Sequence, residues 1–253
     1  MVPVRAWRNH SAKTWQTAGN ALAALATKRL ICFICLSPFG GVSALPYGDD
    51  HVTNHLHRGD LPKNISFTGS VAVDTETMGL RLHRDRLCLV QLSSGDGNAH
   101  LVQIIPGTPA PHLAAIFADP KIEKIFHFAR FDIAMIQRYL GVRCAPVYCT
   151  RTASRLVRTN TDKHGLKDLC RELLGIELSK QQQSSDWAAD SLTVEQVDYA
   201  ASDVLYLHRL KAEMERLVAR EGRTELLQAC LRFLPDRAAL DLAGWADEDI
   251  FAH

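Results

Sequence analysis

The chain has 253 residues, 47% hydrophobic and 23% charged, with a formal net charge of +1. That length accommodates one sizeable α/β domain without requiring a second, and a balance so near neutrality excludes the charge-driven grip on long nucleic acid that a strongly basic chain would have. Seven scattered cysteines, odd in number and with Cys88 inside an apolar run, argue against a disulfide framework and for a reduced, cytoplasmic protein.

Residues 1–54 differ in character from the rest and read as an N-terminal extension, disordered or produced by a misassigned start. The apolar run from Leu30 to Leu36 is too short to span a bilayer, so no membrane association is expected. Its alternative reading is a signal peptide, with Lys28-Arg29 before the run and Val42-Ser43-Ala44 as a cleavage site. Cys32-Phe-Ile-Cys35 has the spacing of a redox or zinc half-site, but no second pair accompanies it.

The folded body, residues 55–253, begins near His57-Arg-Gly-Asp60. Three apolar, β-rich segments follow, Ser70–Thr77, Arg86–Ser93 and Ala99–Ile105, and the short turn-forming links between them predict antiparallel neighbours. After Pro111 come a short helix, a strand at Lys124–Phe128, a helix from Ile133 to Leu140 and a strand at Val147–Cys149, alternating as βαβ units do. The sheet is therefore expected to be mixed. Helices are predicted at Thr152–Val157 and Leu166–Leu174, the second closed by Gly175. A long one opens at Thr193, with Gln196 three residues on as a capping box. Its stripe runs Val197, Ala200, Val204, Leu207, Leu210, Met214, Leu217.

Charge is uneven along this body. Arg143 to Arg171 holds seven basic residues against two acids, whereas Asp186 to Asp203 holds five acids and no Lys or Arg. Such neighbours suit a site that holds phosphate and metal together, or merely two solvated faces.

Asp74-Thr75-Glu76 ends the apolar run Val71-Ala72-Val73, and residues two apart on a strand share a face, so both carboxylates can serve one site. Tyr199 and Asp203, four apart, share a helix face. Asp132 closes the segment Phe126-His127-Phe128-Ala129-Arg130-Phe131-Asp132. Four acids from separated segments, without a His/Cys cluster, suit Mg²⁺ or Mn²⁺ rather than zinc, and two such ions can drive in-line hydrolysis at phosphorus. Taken singly, each piece has a plainer explanation: solvated strand-end acids, a helix-capping Asp132, a core Tyr199.

In their joint order the three segments resemble the exonuclease motifs of the ribonuclease D-like branch of the DEDD 3′-to-5′ exonucleases, in which a tyrosine stands at the position of Tyr199. The resemblance is closer still to the short nanoRNase C-like members. It covers about residue 55 to the C-terminus and includes His83–Gln91, Ser179–Trp187 and the tail Gly244–His253. It implies an RNase H-like α/β fold, two-metal hydrolysis of the terminal phosphodiester, very short RNA as substrate and a homo-oligomer, an octamer. It also implies that Asp74, Glu76, Asp132 and Asp203 are metal ligands and that Tyr199 orients water. The N-terminal extension departs from the family pattern, and the helical C-terminal domains of full-length ribonuclease D have no counterpart.

Substrate contacts are expected beside these motifs. Thr75, Thr77, Met78 and Leu80 follow the first metal strand, where they can meet the terminal nucleotide and wedge against its base. His127 is placed to meet sugar and Arg130 phosphate, with Phe128 between them. Lys180, Gln183 and Trp187 approach the third motif, with a place in the core as the plainer reading of Trp187. A DNA or dual RNA/DNA exonuclease is the nearest rival reading, and a catalytically silent nucleotide-binding scaffold is the other.

Overall fold

The computed structural model describes residues 53–179, 181–182 and 184–252. The N-terminal extension up to residue 52, its signal-peptide reading, Cys32-Phe-Ile-Cys35, Lys180 and Gln183 lie outside the described residues.

Six strands form one mixed sheet: β1 (Thr53–Arg58), β2 (Ser70–Thr77), β3 (Leu87–Ser93), β4 (Asn98–Gln103), β5 (Glu123–Phe126) and β6 (Val147–Cys149), in the order β1-β4-β3-β2-β5-β6. The β2–β3 and β3–β4 pairs are antiparallel, as their short links predict, and β5 pairs in parallel with both β2 and β6. β3 is buried at every position because it runs through the sheet centre beneath helices. β1 was not among the expected strands. It pairs in parallel with β4 along the sheet edge, and its polar sequence, Thr-Asn-His-Leu-His-Arg, lacks the apolar signal of a buried strand.

The parallel strands need crossovers, supplied by α1 (Pro111–Ala118) and α2 (Ala129–Leu140). Next come α3 (Thr150–Val157) and α4 (Leu166–Leu169), which runs into a π turn at Cys170–Leu174 and ends on left-handed Gly175 at φ 70°. α5 (Val194–Leu205) opens on the capping box read from the sequence. Gln196 N donates to Thr193 Oγ1 at 3.2 Å while Thr193 N donates to Gln196 Oε1 at 2.9 Å. The single long helix expected from the apolar stripe is two helices. Tyr206, at φ −107° and ψ 0°, ends α5, and α6 (Leu207–Arg220) continues beyond it. The stripe survives the break because Val204, Leu207, Leu210 and Met214 are buried on both sides of it. α7 (Thr224–Leu240) packs on α2, where Gln137 Nε2 donates to the Pro235 carbonyl at 3.2 Å.

Inside the sheet, Lys124 is a buried cation with no carboxylate partner. Its Nζ instead donates to the carbonyls of Asp119, Ile122 and Ala145 at 2.7–2.9 Å. Three oxygens satisfy the ammonium, so the charge ties the loop before β5 to the one before β6.

Candidate active site

The sheet register places the first acids. Asp74 and Glu76 lie at the C-terminal end of β2, where a bulge at Glu76/Thr77 interrupts pairing with β3, and such bulges re-aim side chains at strand ends. Asp203 comes from α5, which packs across β2, β3 and β4. One carboxylate oxygen from each of Asp74, Glu76 and Asp203 lies within 4.8 Å of the others. Asp132, in the first turn of α2, stands just outside this triad. It accepts a hydrogen bond from Thr75 Oγ1 at 2.5 Å, which fixes its carboxylate against β2.

Recessing four acids together is electrostatically unfavourable. Burial first, then the charges of Asp132, Asp203 and Glu76, hold Asp74 well above the usual carboxylate range. Burial and the charges of Asp203 and Asp132 push Glu76 up to about 9. Burial carries Asp132 and Asp203 to about 7, against opposing interactions with Thr75 and Tyr199 respectively. Among the described residues no Lys, Arg or His makes an ion pair with any of the four. An all-oxygen site with so much uncompensated acidity fits a hard divalent cation.

Two clefts meet at Asp74. The smaller, about 370 Å³, is lined by Glu76, Tyr199 and Asp203 and also by Arg151 and Lys167. The larger, about 940 Å³, is lined by Asp132, Leu80, Arg130 and Phe131. His127 and Phe128 border both. Burial, followed by the charges of Asp203, Glu76 and Asp74, raises Tyr199, so its phenol keeps its proton.

The expected substrate contacts divide by position. Leu80, 82% exposed, Met78 and Phe128 are exposed apolar groups rather than core. Phe128 also adopts φ 70°, a left-handed conformation unusual for an aromatic residue, at the start of α2. Thr75 is buried and engaged with Asp132, and Thr77 Oγ1 donates to the Gly79 carbonyl at 2.6 Å. His127 Nδ1 lies 2.9 Å from Thr150 Oγ1, and burial with the nearby Arg151 charge depresses it to about 3, leaving a neutral imidazole.

Two positions differ from the substrate-contact expectation. Arg130 was expected to meet phosphate, but its guanidinium is engaged by Asp241, with Nε and Nη2 donating at 2.5 and 2.7 Å, and by the Ala246 carbonyl. Trp187, read either as a substrate contact or as core, is the second of these, buried with its ring 6.2 Å from that of Tyr199. Its large apolar surface is better placed in the core, beside the Tyr199 ring. Arg151 and Lys167 were not singled out as contacts; the basic stretch from Arg143 to Arg171 was their only trace in the sequence.

Residues 59–219 match the family profile of a 3′-5′ exonuclease domain. The chain belongs to this exonuclease family. Within it, the nanoRNase C-like side of the ribonuclease D-like branch is marked by two solved structures of Brucella melitensis NrnC. The first, with bound Mg²⁺, is 54% identical with a TM-score of 0.76, covering 79% of this chain and 99% of that one. The second, bound to pGG, is 55% identical with a TM-score of 0.77, covering 80% of this chain and 99% of that one. Ribonuclease D of Gluconacetobacter diazotrophicus is 32% identical over 168 residues, 66% of this chain. The chain spans only about 42% of the length of that relative. The exonuclease fold is thus the RNase H-like one expected from the motifs.

Proposed function

We propose that the chain is a metal-dependent 3′-to-5′ exoribonuclease that hydrolyses short oligoribonucleotides, dinucleotides included, to nucleoside 5′-monophosphates. The convergence of Asp74, Glu76 and Asp203 within 4.8 Å carries this reading. These three acids and Asp132 would hold two divalent ions, Mg²⁺ or Mn²⁺. When bound, such ions supply Lewis-acid stabilisation of charge at phosphorus and activation of the attacking water.

The protein's own groups do the rest. Tyr199 keeps its proton and therefore orients water through a hydrogen bond instead of removing a proton. Thr75 fixes Asp132. The exposed side chains of Met78, Leu80 and Phe128 offer apolar surface to the terminal base and sugar, and the neutral imidazole of His127 borders both clefts beside them.

A very short substrate is supported by the NrnC relative bound to pGG. A homo-oligomer, an octamer by the resemblance, and a cytoplasmic location complete the proposal. The five described cysteines are free, and no helix among the described residues is long and apolar enough to cross a membrane.

The test is hydrolysis of a ladder of RNA from two to twenty nucleotides and of matched DNA, with Mg²⁺ or Mn²⁺ and with particle mass measured alongside. Fastest turnover of RNA dinucleotides by an octamer is expected. Preference for long DNA would replace the substrate assignment, and absence of any hydrolysis would favour a nucleotide-binding scaffold.

A further inference from the structure

β1 carries His55-Leu-His57, and side chains two apart on a strand share a face. The parallel pairing of β1 with β4 sets His100 directly beside His55, so three imidazoles meet on that face at the sheet edge. Their ring centroids lie 5.0 Å (His55 to His100), 5.4 Å (His57 to His100) and 6.4 Å (His55 to His57) apart. Asn54, one residue along, points the other way and donates to Asp198 of α5 at 2.7 Å. The histidines therefore stand on the sheet face opposite α5, the helix that bears Tyr199 and Asp203.

The spacing has the dimensions of a metal site. Two nitrogens about 2.0–2.1 Å from one tetrahedral ion sit about 3.3 Å apart, and the centroids of their rings about 5 Å apart. His57 Nε2 and His100 Nδ1 are separated by 3.2 Å. The rings stand within 23° of parallel, so the third nitrogen has not converged on the other two; among the described residues only the acid triad brings three ligand atoms within 4.8 Å. His55 is exposed, which gives its ring room to turn and close the set. Phe67 covers the side next to His100, its ring 6.2 Å away and edge-on. Burial first, then the neighbouring histidines, hold His57 and His100 below the usual imidazole range, so both are neutral near pH 7, the form that binds metal.

We propose that His55, His57 and His100 bind one transition-metal ion of the Zn²⁺ class, which clamps the edge strand β1 to β4. Imidazole nitrogens favour such borderline ions, whereas the all-oxygen cluster of Asp74, Glu76, Asp132 and Asp203 suits harder ones, so the two sites sort ions by their chemistry. On binding, the ion takes the place of the proton between His57 and His100, which is released to solvent, and water completes the coordination.

The test titrates Co²⁺, a spectroscopic stand-in for Zn²⁺, into the untagged full-length protein after EDTA treatment and in saturating Mg²⁺, and then adds Zn²⁺. The wild type is expected to develop the strong visible absorption of a low-coordinate nitrogen site, which an oxygen cluster does not give, and to lose it as Zn²⁺ displaces Co²⁺. His57→Asn and His100→Asn are each expected to weaken uptake by more than the roughly tenfold to hundredfold that loss of a mere supporting group causes, and His55→Asn, at an exposed position, to weaken it as well. Zn²⁺ should raise the melting temperature of the wild type and not that of His100→Asn. Absence of the absorption from the wild type overturns the proposal, as does an equal titration midpoint or an equal Zn²⁺-induced melting shift in wild type and His100→Asn. If the two half-buried positions do not tolerate substitution, His55→Asn decides alone, and wild-type affinity in that variant overturns the three-histidine site.

Discussion

Thr75 Oγ1 donates to Asp132 Oδ1 across 2.5 Å, tying the strand that bears Asp74 and Glu76 to the helix that bears the fourth acid. The threonine between the two motif acids is therefore a positioning residue. Thr75→Val removes the hydroxyl at nearly constant volume and leaves a recessed carboxylate short of a donor. Hydrogen bonds to charged groups contribute about 1.5–3 kcal/mol, so kcat should fall roughly tenfold to a hundredfold, while Thr75→Ser retains most activity. Steady-state rates at saturating Mg²⁺ check this, with melting curves showing whether the variants fold. Equal rates for Thr75→Val and wild type would detach the hydroxyl from the chemistry.

The acid cluster links stability to pH and metal. Glu76 at about 9, and Asp132 and Asp203 at about 7, all lie above the ~4 of an unfolded carboxylate. Without metal, the folded state thus holds more protons than the unfolded state from about pH 4 to about pH 9. Its stability relative to the unfolded chain falls as pH rises through that window and levels off above it. Mg²⁺ should raise the melting temperature more at pH 9 than at pH 5. Asp203→Asn should abolish hydrolysis yet raise the melting temperature of the EDTA-treated protein at pH 8. A lower melting temperature for that variant in EDTA would mean that the acids do not repel one another as the geometry indicates.

Trp187 is buried with its ring 6.2 Å from that of Tyr199, so its substitution is expected to act on stability and to reach turnover only by way of the phenol. Trp187→Ala should destabilise the protein by about 3–5 kcal/mol, as aromatic-to-alanine changes in cores do. Trp187→Phe, which keeps a ring behind the phenol, should retain most kcat and leave KM unchanged. Denaturant unfolding and steady-state kinetics measure the two effects separately. A selective rise in KM for Trp187→Phe would place the indole at the substrate.

How much of this was legible in the sequence depended on whether a local pattern carried the information. The antiparallel β2, β3 and β4 showed as apolar runs divided by turn residues, and the capping box at Thr193 marked the start of α5. β1 was hidden because an edge strand with polar residues need not announce itself by burial. The break at Tyr206 was hidden for a different reason: one non-helical residue barely shifts the phase of a stripe, so Val204 and Leu207 read as one helix. At the site, the order of the acid motifs was visible, but their spatial convergence was not. Arg130's pairing with Asp241 was not legible because that partner lies 111 residues away in sequence, beyond the reach of any local pattern.

That distant pair yields a further prediction. Asp241 is 4% exposed at its side chain and receives Arg130 in two hydrogen bonds, with Arg237 at 3.2 Å as its other cation. Removing one partner of a recessed ion pair strands the other charge, which typically costs 3–5 kcal/mol; because Arg237 remains, about 2 kcal/mol is expected for Arg130→Gln. The loss should appear as a lower denaturation midpoint, with KM for RNA dinucleotides little changed. Combining Arg130→Gln with Asp241→Asn in a double-mutant cycle reports the coupling between the two side chains directly. If Arg130→Gln instead keeps its stability and raises KM, the guanidinium serves the substrate and Asp241 merely holds it ready.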